Sequence, residues 1–325
     1  MKTALITGIT GQDGHHLTKL LMSKGYEVHG IVNGQRNSRE EAFVTLFPDA
    51  KLHRGDLTDF TSLLQIIQSI HPTEIYNLGA ISFVGMSFQQ PELTANITGL
   101  GALRLLEAIR KVGGEKEIRF YQASSSEMFG KVRQTPQDEL TPFHPRSPYG
   151  VAKTFAHYTC VNYRESYDMH ISCGILFNHE GEHRGHEFVS RKITSNIAKI
   201  KLGKIEKFSL GNLNPQRDWG YAGDYVDAMW SMVQHKIPED FVIATGETRS
   251  VRTFVEAALI AADLEPNVEK YVTYDTDLLR PAEVDVLVGD FTKARELLGW
   301  SPQTNFQELV ELMVENDLKL ESQRL

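Results

Sequence analysis

Cysteine is scarce in this chain: Cys160 and Cys173 are the two in 325 residues. Neither falls in a Cys-x-x-Cys or Cys/His ligand spacing, which speaks against a disulfide framework or a structural zinc site. Both are read as buried thiols in a reducing compartment, and no metal is expected. Long apolar runs are missing too, since nothing approaches the roughly 18 residues of a membrane span. The start MKTALITGITG runs straight into a strand pattern with no signal-peptide core, so a cytoplasmic protein without a membrane partner is expected. Basic residues are not in excess either. The formal net charge is −8, which gives no general attraction to nucleic acid, so any phosphate has to be held by local groups. Repeats, low-complexity tracts and linkers are absent as well.

Short apolar runs alternate with helical patterns through the first half: TALITG, YEVHGIV, KLHRGD, EIYNLG and IRFYQASS are separated by helix-like stretches over 14–24, 38–46, 59–70 and 92–112. Strands alternating with helices at this spacing imply right-handed crossovers and a parallel sheet. The fold class is therefore α/β, a doubly wound parallel sheet of Rossmann type with a smaller α/β substrate domain at the C-terminal end. HISCGILFN reads as a sixth strand, a helix follows over about 187–202, and DFVIATG returns to the large sheet. Residues 1–177 form the cofactor domain, with later returns near 218–246 and 285–300, and residues 178–325 are mainly substrate domain. FQELVELMVENDL puts Phe306, Leu309, Val310, Met313 and Leu318 near one helical face, as packing requires.

In TALITGITGQDGHHL, Gly8, Gly11 and Gly14 follow a strand and open a helix. Glycine there permits a tight turn and close approach of a pyrophosphate to the free N–H groups of a helix start. Gln12 and Asp13, inside the turn, are counted with the cofactor residues. The second strand ends at Asn33, where an Asp or Glu would hydrogen-bond a ribose 2′-hydroxyl; Arg36 and Arg39 follow instead. Two guanidinium forks suit a 2′-phosphate, so NADP is expected over NAD. Asp56, with Leu57 beside it, closes the third strand and either meets the adenine or caps the helix beginning near Thr58 or Asp59.

Tyr149 and Lys153, in PRSPYGVAKTFAHY, are four apart and share a helical face. A lysine beside a phenol favours the phenolate, which makes the tyrosine a usable base. What gives the pair weight is order along the chain: glycine turn, then the serine-rich strand end YQASSSEMFG, then Tyr-x-x-x-Lys at the head of the next helix. A glutamate, Glu127, sits at that strand end, and an ionisable carboxyl beside an apolar run is either half exposed or kept for chemistry.

The runs GITGQDG, EIYNLGAISFVGMSF, RFYQASSSEMFGKV, PRSPYGVAK, VNYRESY, GILFNHE, LGNLNPQRDWG, VIATGETRSV and RPAEVDVLVGD together resemble the extended short-chain dehydrogenase/reductases and, among them, the GDP-mannose 4,6-dehydratase family. The resemblance covers nearly the full length. It implies that Ser125 hydrogen-bonds the sugar 4-oxygen and that Glu127 takes the C5 proton, Ser126 standing where many sugar-nucleotide dehydratases have aspartate. It further implies that Tyr149, assisted by Lys153, removes the 4-hydroxyl proton as a hydride passes to NADP. Water leaves C6 with a proton from Glu127, and the hydride returns to C6. Epimerases and reductases of the same fold need only the tyrosine and lysine; a silent NADP-binding sensor would usually lack one of them.

A diphosphate in an acidic chain needs local cations. Arg184, Arg191, Lys192, Arg217 and Arg280 are the candidates. The resemblance implies Ser82, Asn178 and Lys192 in the substrate site, Arg217 at the diphosphate, and Arg280 with Glu283 near the nucleoside. One departure stands out: the family's NHESPRRG is NHEGEHRG here, so Gly181, Glu182 and His183 replace Ser, Pro and Arg. That puts the preferred sugar or the subunit contact in question, and a GDP-linked heptose is a competing substrate. Family members place the Arg36–Arg39 loop against an adjacent subunit's cofactor site, which implies a homodimer or homotetramer.

Overall fold

Ala4, Leu5 and Ile6 are all fully buried, a run without alternation that belongs to a strand covered on both faces. In the computed structural model, which describes residues 1–278, 281–284 and 286–323, this run is β1, Thr3–Thr7. There follow α1 Gln12–Ser23, β2 Glu27–Val32, α2 Ser38–Leu46, β3 Lys51–Arg54, α3 Phe60–Ile70 and β4 Glu74–Asn77. The chain continues through α4 Val84–Gln89, α5 Pro91–Thr94, a π-helical turn Ala95–Gly99, α6 Leu100–Lys111, β5 Arg119–Ser125, α7 Pro148–Tyr167 and β6 Ile171–Leu176. The second half carries β7 Asn178–Glu180, α8 Val189–Lys201, β8 Phe208–Leu210, β9 Gln216–Arg217, β10 Trp219–Tyr221 and α9 Ala222–Gln234. It ends with β11 Asp240–Ile243, β12 Arg249–Ser250, α10 Val251–Ala261, α11 Val268–Tyr271, β13 Val272–Tyr274, α12 Thr292–Leu298 and α13 Phe306–Ser322.

Seven parallel strands pair in the order β11-β6-β5-β4-β1-β2-β3. The order reverses between β1 and β4, which opens a crevice above their carboxyl ends, where ligands bind in sheets of this kind. One face is packed by Leu17 and Leu21 of α1 with Val226, Met229 and Met232 of α9. The other is packed by Leu63 and Ile67 of α3, Leu105 and Ile109 of α6 and Cys160 of α7. A separate cluster joins Ile193 and Ile197 of α8 to Phe254 of α10 and Leu309 and Met313 of α13. No helix among the described residues is long and apolar enough to cross a membrane.

The stretch read as one helix over 92–112 is interrupted by the π-helical turn, which brings Gly99 against α7: a Cβ there would lie 3.3 Å from the Phe155 ring. The third helix begins at Phe60, with Asp59 as its cap, accepting from the Thr61 N–H at 2.9 Å. Asp56 instead closes a small turn, accepting from the Thr58 N–H and hydroxyl at 2.7 Å each. Both cysteines are buried free thiols.

Candidate active site

The crevice is a cleft of about 680 Å³. Its floor is set by a ladder of side chains across three strands: Thr7 donates to Asn77 at 2.7 Å, Asn77 to Gln122 at 2.8 Å, and the Gly79 N–H donates back to Thr7 at 2.9 Å. The parallel register places Thr7 beside Asn77 and Asn77 beside Gln122, so the three strand ends are held level.

The glycine turn lines the cleft. Gly8 has φ +69°, and a Cβ there would stand 3.0 Å from the Gly79 Cα. A Cβ on Gly14 would lie 2.1 Å from the Ile9 carbonyl oxygen, so only glycine lets α1 start this close to β1. The cap position, Gly11, offers no side-chain hydrogen bond to the first turn of α1, which leaves its N–H groups for a ligand. This cradle fits a dinucleotide pyrophosphate. Gln12, Asp13, Asp56, Leu57 and Arg39 line the same cleft. Arg36 does not line it, and ion-pairs at the surface with Glu41 at 3.7 Å.

Ser125, Glu127, Tyr149 and Lys153 line the same cleft, together with Ser82 and Asn178. Ser125 ends β5 and its hydroxyl accepts from the Glu127 N–H at 3.2 Å, starting the single 3₁₀ turn Ser126–Met128 that carries the glutamate. Tyr149 and Lys153 ride the first turns of α7, capped by Ser147, which accepts from the Gly150 N–H at 3.0 Å. Lys153 donates to the Ala123 carbonyl at 2.7 Å, and its Nζ is 5.7 Å from the centre of the Tyr149 ring. Burial pushes the phenol up to about 12, against a hydrogen bond from Ser125, with the Glu127 charge adding to the rise. Burial also pulls the Lys153 ammonium down to about 8. At neutral pH the pair thus rests as phenol and ammonium, and added positive charge in the cleft is what favours the phenolate.

Of the remaining expected residues, Arg184 lines this cleft, whereas Lys192, Arg191, Arg217 and Glu283 do not. Lys192 is on α8, its ammonium lowered by burial. Arg217 donates to the Val284 carbonyl at 2.7 Å and pairs with Glu283 at 3.4 Å, so these two meet each other. Arg280 lies outside the described residues, as does Asp285. Arg191 pairs with Asp317 at 2.8 Å and donates to the carbonyls of Glu182 and Arg184, bracing the loop that departs from the family pattern. In that loop Arg184 pairs with Glu180 at 2.8 Å and lies over the Phe188 ring, while His183 stacks on His15, 4.4 Å between centroids.

Sequence reasoning missed His179 and His157. His179, on β7, bonds Asp13 across 166 residues of chain, a separation at which no spacing pattern exists. His157 continues the Tyr149/Lys153 face by one further turn. Its Nδ1 pairs with Ser124 at 2.9 Å, and with Cys173 and Asp240 it forms a set whose ligand atoms lie within 4.8 Å of one another. Both oxygens of Asp240 accept from Arg164, at 2.8 and 3.1 Å. The set is therefore a hydrogen-bonded brace behind β5 and is assigned no ion.

A family model described as GDP-mannose 4,6 dehydratase matches residues 5–313. The chain is 50% identical to the GDP-mannose 4,6 dehydratase of Cricetulus griseus over 342 residues, 98% of this chain and 92% of that protein. It is 50% identical to the Homo sapiens protein of the same description over 340 residues, 98% of this chain and 91% of that one. Among solved structures, the UDP-glucose 4-epimerase of Thermus thermophilus in complex with NAD is similar at 26% identity and a TM-score of 0.83, covering 97% of this chain and 98% of that one.

Proposed function

Because the chain belongs to the GDP-mannose 4,6-dehydratase family, we propose that Ser125, Glu127, Tyr149 and Lys153 perform that family's hydro-lyase reaction, the loss of water from GDP-mannose to give GDP-4-keto-6-deoxy-mannose. The observation that carries this assignment is the meeting of a carboxylate, a phenol and an ammonium in one cleft with the glycine turn.

Tyr149 takes the proton of the sugar 4-hydroxyl, and Ser125, hydrogen-bonded to the phenol, holds that oxygen. Lys153 supplies the positive charge that favours the phenolate. Once C4 is a ketone the C5 proton is acidic, and Glu127 removes it. The same carboxyl then protonates the C6 hydroxyl, which leaves as water. A nicotinamide dinucleotide, when bound, supplies the acceptor and later the donor of a hydride. NADP is preferred over NAD because Asn33, and no acid, follows the end of the second strand while Arg39 lines the same cleft. Glu40 there is committed to Arg54 at 2.6 Å.

Two further readings rest on less. A homo-oligomer is supported by Val151, Phe155 and Tyr158, which are 56%, 45% and 56% exposed at successive turns of α7 beside exposed Leu100. A cytoplasmic location accords with the reading of both cysteines as reduced thiols. Incubating the purified protein with GDP-mannose, a GDP-heptose and UDP-sugars, followed by mass spectrometry, tests the substrate assignment. Loss of one water from GDP-mannose is expected; turnover of the heptose in preference, or of no GDP-sugar, overturns it.

A further inference from the structure

His179 is held from both sides. Its Nδ1 lies 2.8 Å from the Phe177 carbonyl oxygen and its Nε2 lies 2.9 Å from Oδ2 of Asp13. A carbonyl and a carboxylate oxygen only accept, so both ring nitrogens must carry protons, and an imidazole with two N–H groups is a cation. Its ring also stacks on Tyr225 at 4.8 Å and 21°, where the π face favours positive charge. Asp13 is the second residue of α1, in the turn that fits a pyrophosphate. Its Oδ1 accepts from Gln12 at 3.1 Å, and Gln12 also donates to the His179 carbonyl at 3.0 Å. The cofactor turn is thereby stitched to β7, the strand that leads into the loop of Arg184.

A carboxylate in that turn suits the positive end of a helix but repels an arriving diphosphate. We propose that His179 is a positioning residue that remains an imidazolium in order to neutralise Asp13, so that the dinucleotide site keeps a constant charge through the neutral pH range. This rests on the reading of the cleft as a nicotinamide dinucleotide site. The ionisation state agrees: burial raises Asp13, but the His179 charge and hydrogen bond overcome it and hold the carboxyl well below the usual range. Burial lowers His179, and Asp13 more than reverses that.

Among the described residues, His179 is the cation seated directly against Asp13. Facing the pair are Arg184 from the loop after β7, Tyr149 and Lys153 from α7, Tyr121 from β5, His16 from α1 and Tyr225 from α9. Of these, Lys153 and Arg184 also act on Asp13 through their charge, but Lys153 donates to the Ala123 carbonyl and Arg184 pairs with Glu180, so it is His179 that hydrogen-bonds the carboxylate as a cation. His16 is lowered by burial, and the tyrosines carry no charge to offer. With both N–H groups of His179 engaged, it has none for substrate, which is why it acts through Asp13.

The test uses NADPH and, in parallel, NADH as probes, with wild type, His179→Gln, Asp13→Asn and the double variant, each checked by thermal melting. In His179→Gln the dissociation constant relative to wild type is expected to rise roughly tenfold or more with increasing pH as Asp13 ionises uncompensated. Adding Asp13→Asn should abolish that new titration and return affinity to within a few-fold of the Asp13→Asn variant. Should His179→Gln fail to fold, the double variant is expected to fold. A ratio that stays flat with pH, or a double variant no better than His179→Gln, overturns the proposal. Wild type that binds neither dinucleotide overturns the cofactor reading beneath it, a result distinct from a flat ratio.

Discussion

Lys153 donates to the Ala123 carbonyl across 2.7 Å, so the helix that carries Tyr149 is pinned to the strand that carries Ser125. The lysine does this while 4% exposed, and burial lowers it from 10.5 to about 8. Between those values the unfolded chain holds a proton that the folded chain has released, so stability rises with pH across that window. The buried charge costs up to about 3 kcal/mol at neutral pH. Lys153→Met is therefore expected to melt at or above the wild-type temperature, to lose the rise in stability between pH 8 and 10.5, and to turn over ~10²-fold or more slowly. A denaturant series across pH, with turnover measured on the same samples, checks all three.

Gly14→Ala should do the reverse of an ordinary helix substitution. In an exposed helix alanine stabilises by about 1 kcal/mol relative to glycine, but here its Cβ would meet the Ile9 carbonyl oxygen at 2.1 Å. Overpacking against backbone costs about 1–3 kcal/mol and moves the start of α1 off β1. The expected result is a lower denaturation midpoint together with loss of dinucleotide binding, read by NADPH fluorescence titration.

The NADP assignment makes Arg39 the residue that discriminates the two cofactors. Arg39→Ala should weaken NADPH roughly tenfold or more while changing NADH little, because a charge-assisted hydrogen bond to a 2′-phosphate is worth about twice a neutral one. Equal weakening of both would point to a general role in the loop. Arg36→Ala, outside the cleft, is expected to leave the isolated subunit's affinity unchanged.

Much of this was legible beforehand because it is local. The glycine spacing, the four-residue step from Tyr149 to Lys153 and the two-residue step from Ser125 to Glu127 lie within single turns or strand ends. Alternation of apolar runs likewise gave the parallel sheet, including the return of Asp240–Ile243 beside β6. What escaped was set by partners far apart in the chain. Asp13 reads as one more residue of a turn until His179 lies against it. Arg191, a candidate for a diphosphate, is spent on Asp317 at 2.8 Å, and periodicity carries no trace of that pair. The π-helical turn at Ala95–Gly99 escaped for another reason: one extra residue rotates the apolar face by about 100°, a shift that the helical stretches on either side of the turn are too short to reveal.

Phe155→Glu tests the oligomer. The side chain is 45% exposed between Val151 and Tyr158, and a charge there would be unpaired in an apolar contact. Sedimentation velocity is expected to show the assembly of the wild type shifted to monomer, with the melting temperature of the subunit little changed. An unchanged sedimentation coefficient would move the contact to another face.

Glu127→Gln addresses the chemistry itself. The side chain keeps its shape and stays in the cleft with Ser125 and Tyr149, but it can no longer accept the C5 proton. With GDP-mannose in deuterated water, the variant is expected still to bind dinucleotide and sugar nucleotide, while exchange at C5 and loss of water both fall ~10²-fold to 10⁴-fold. Water released by Glu127→Gln at the wild-type rate, with deuterium entering C5 as before, would contradict it.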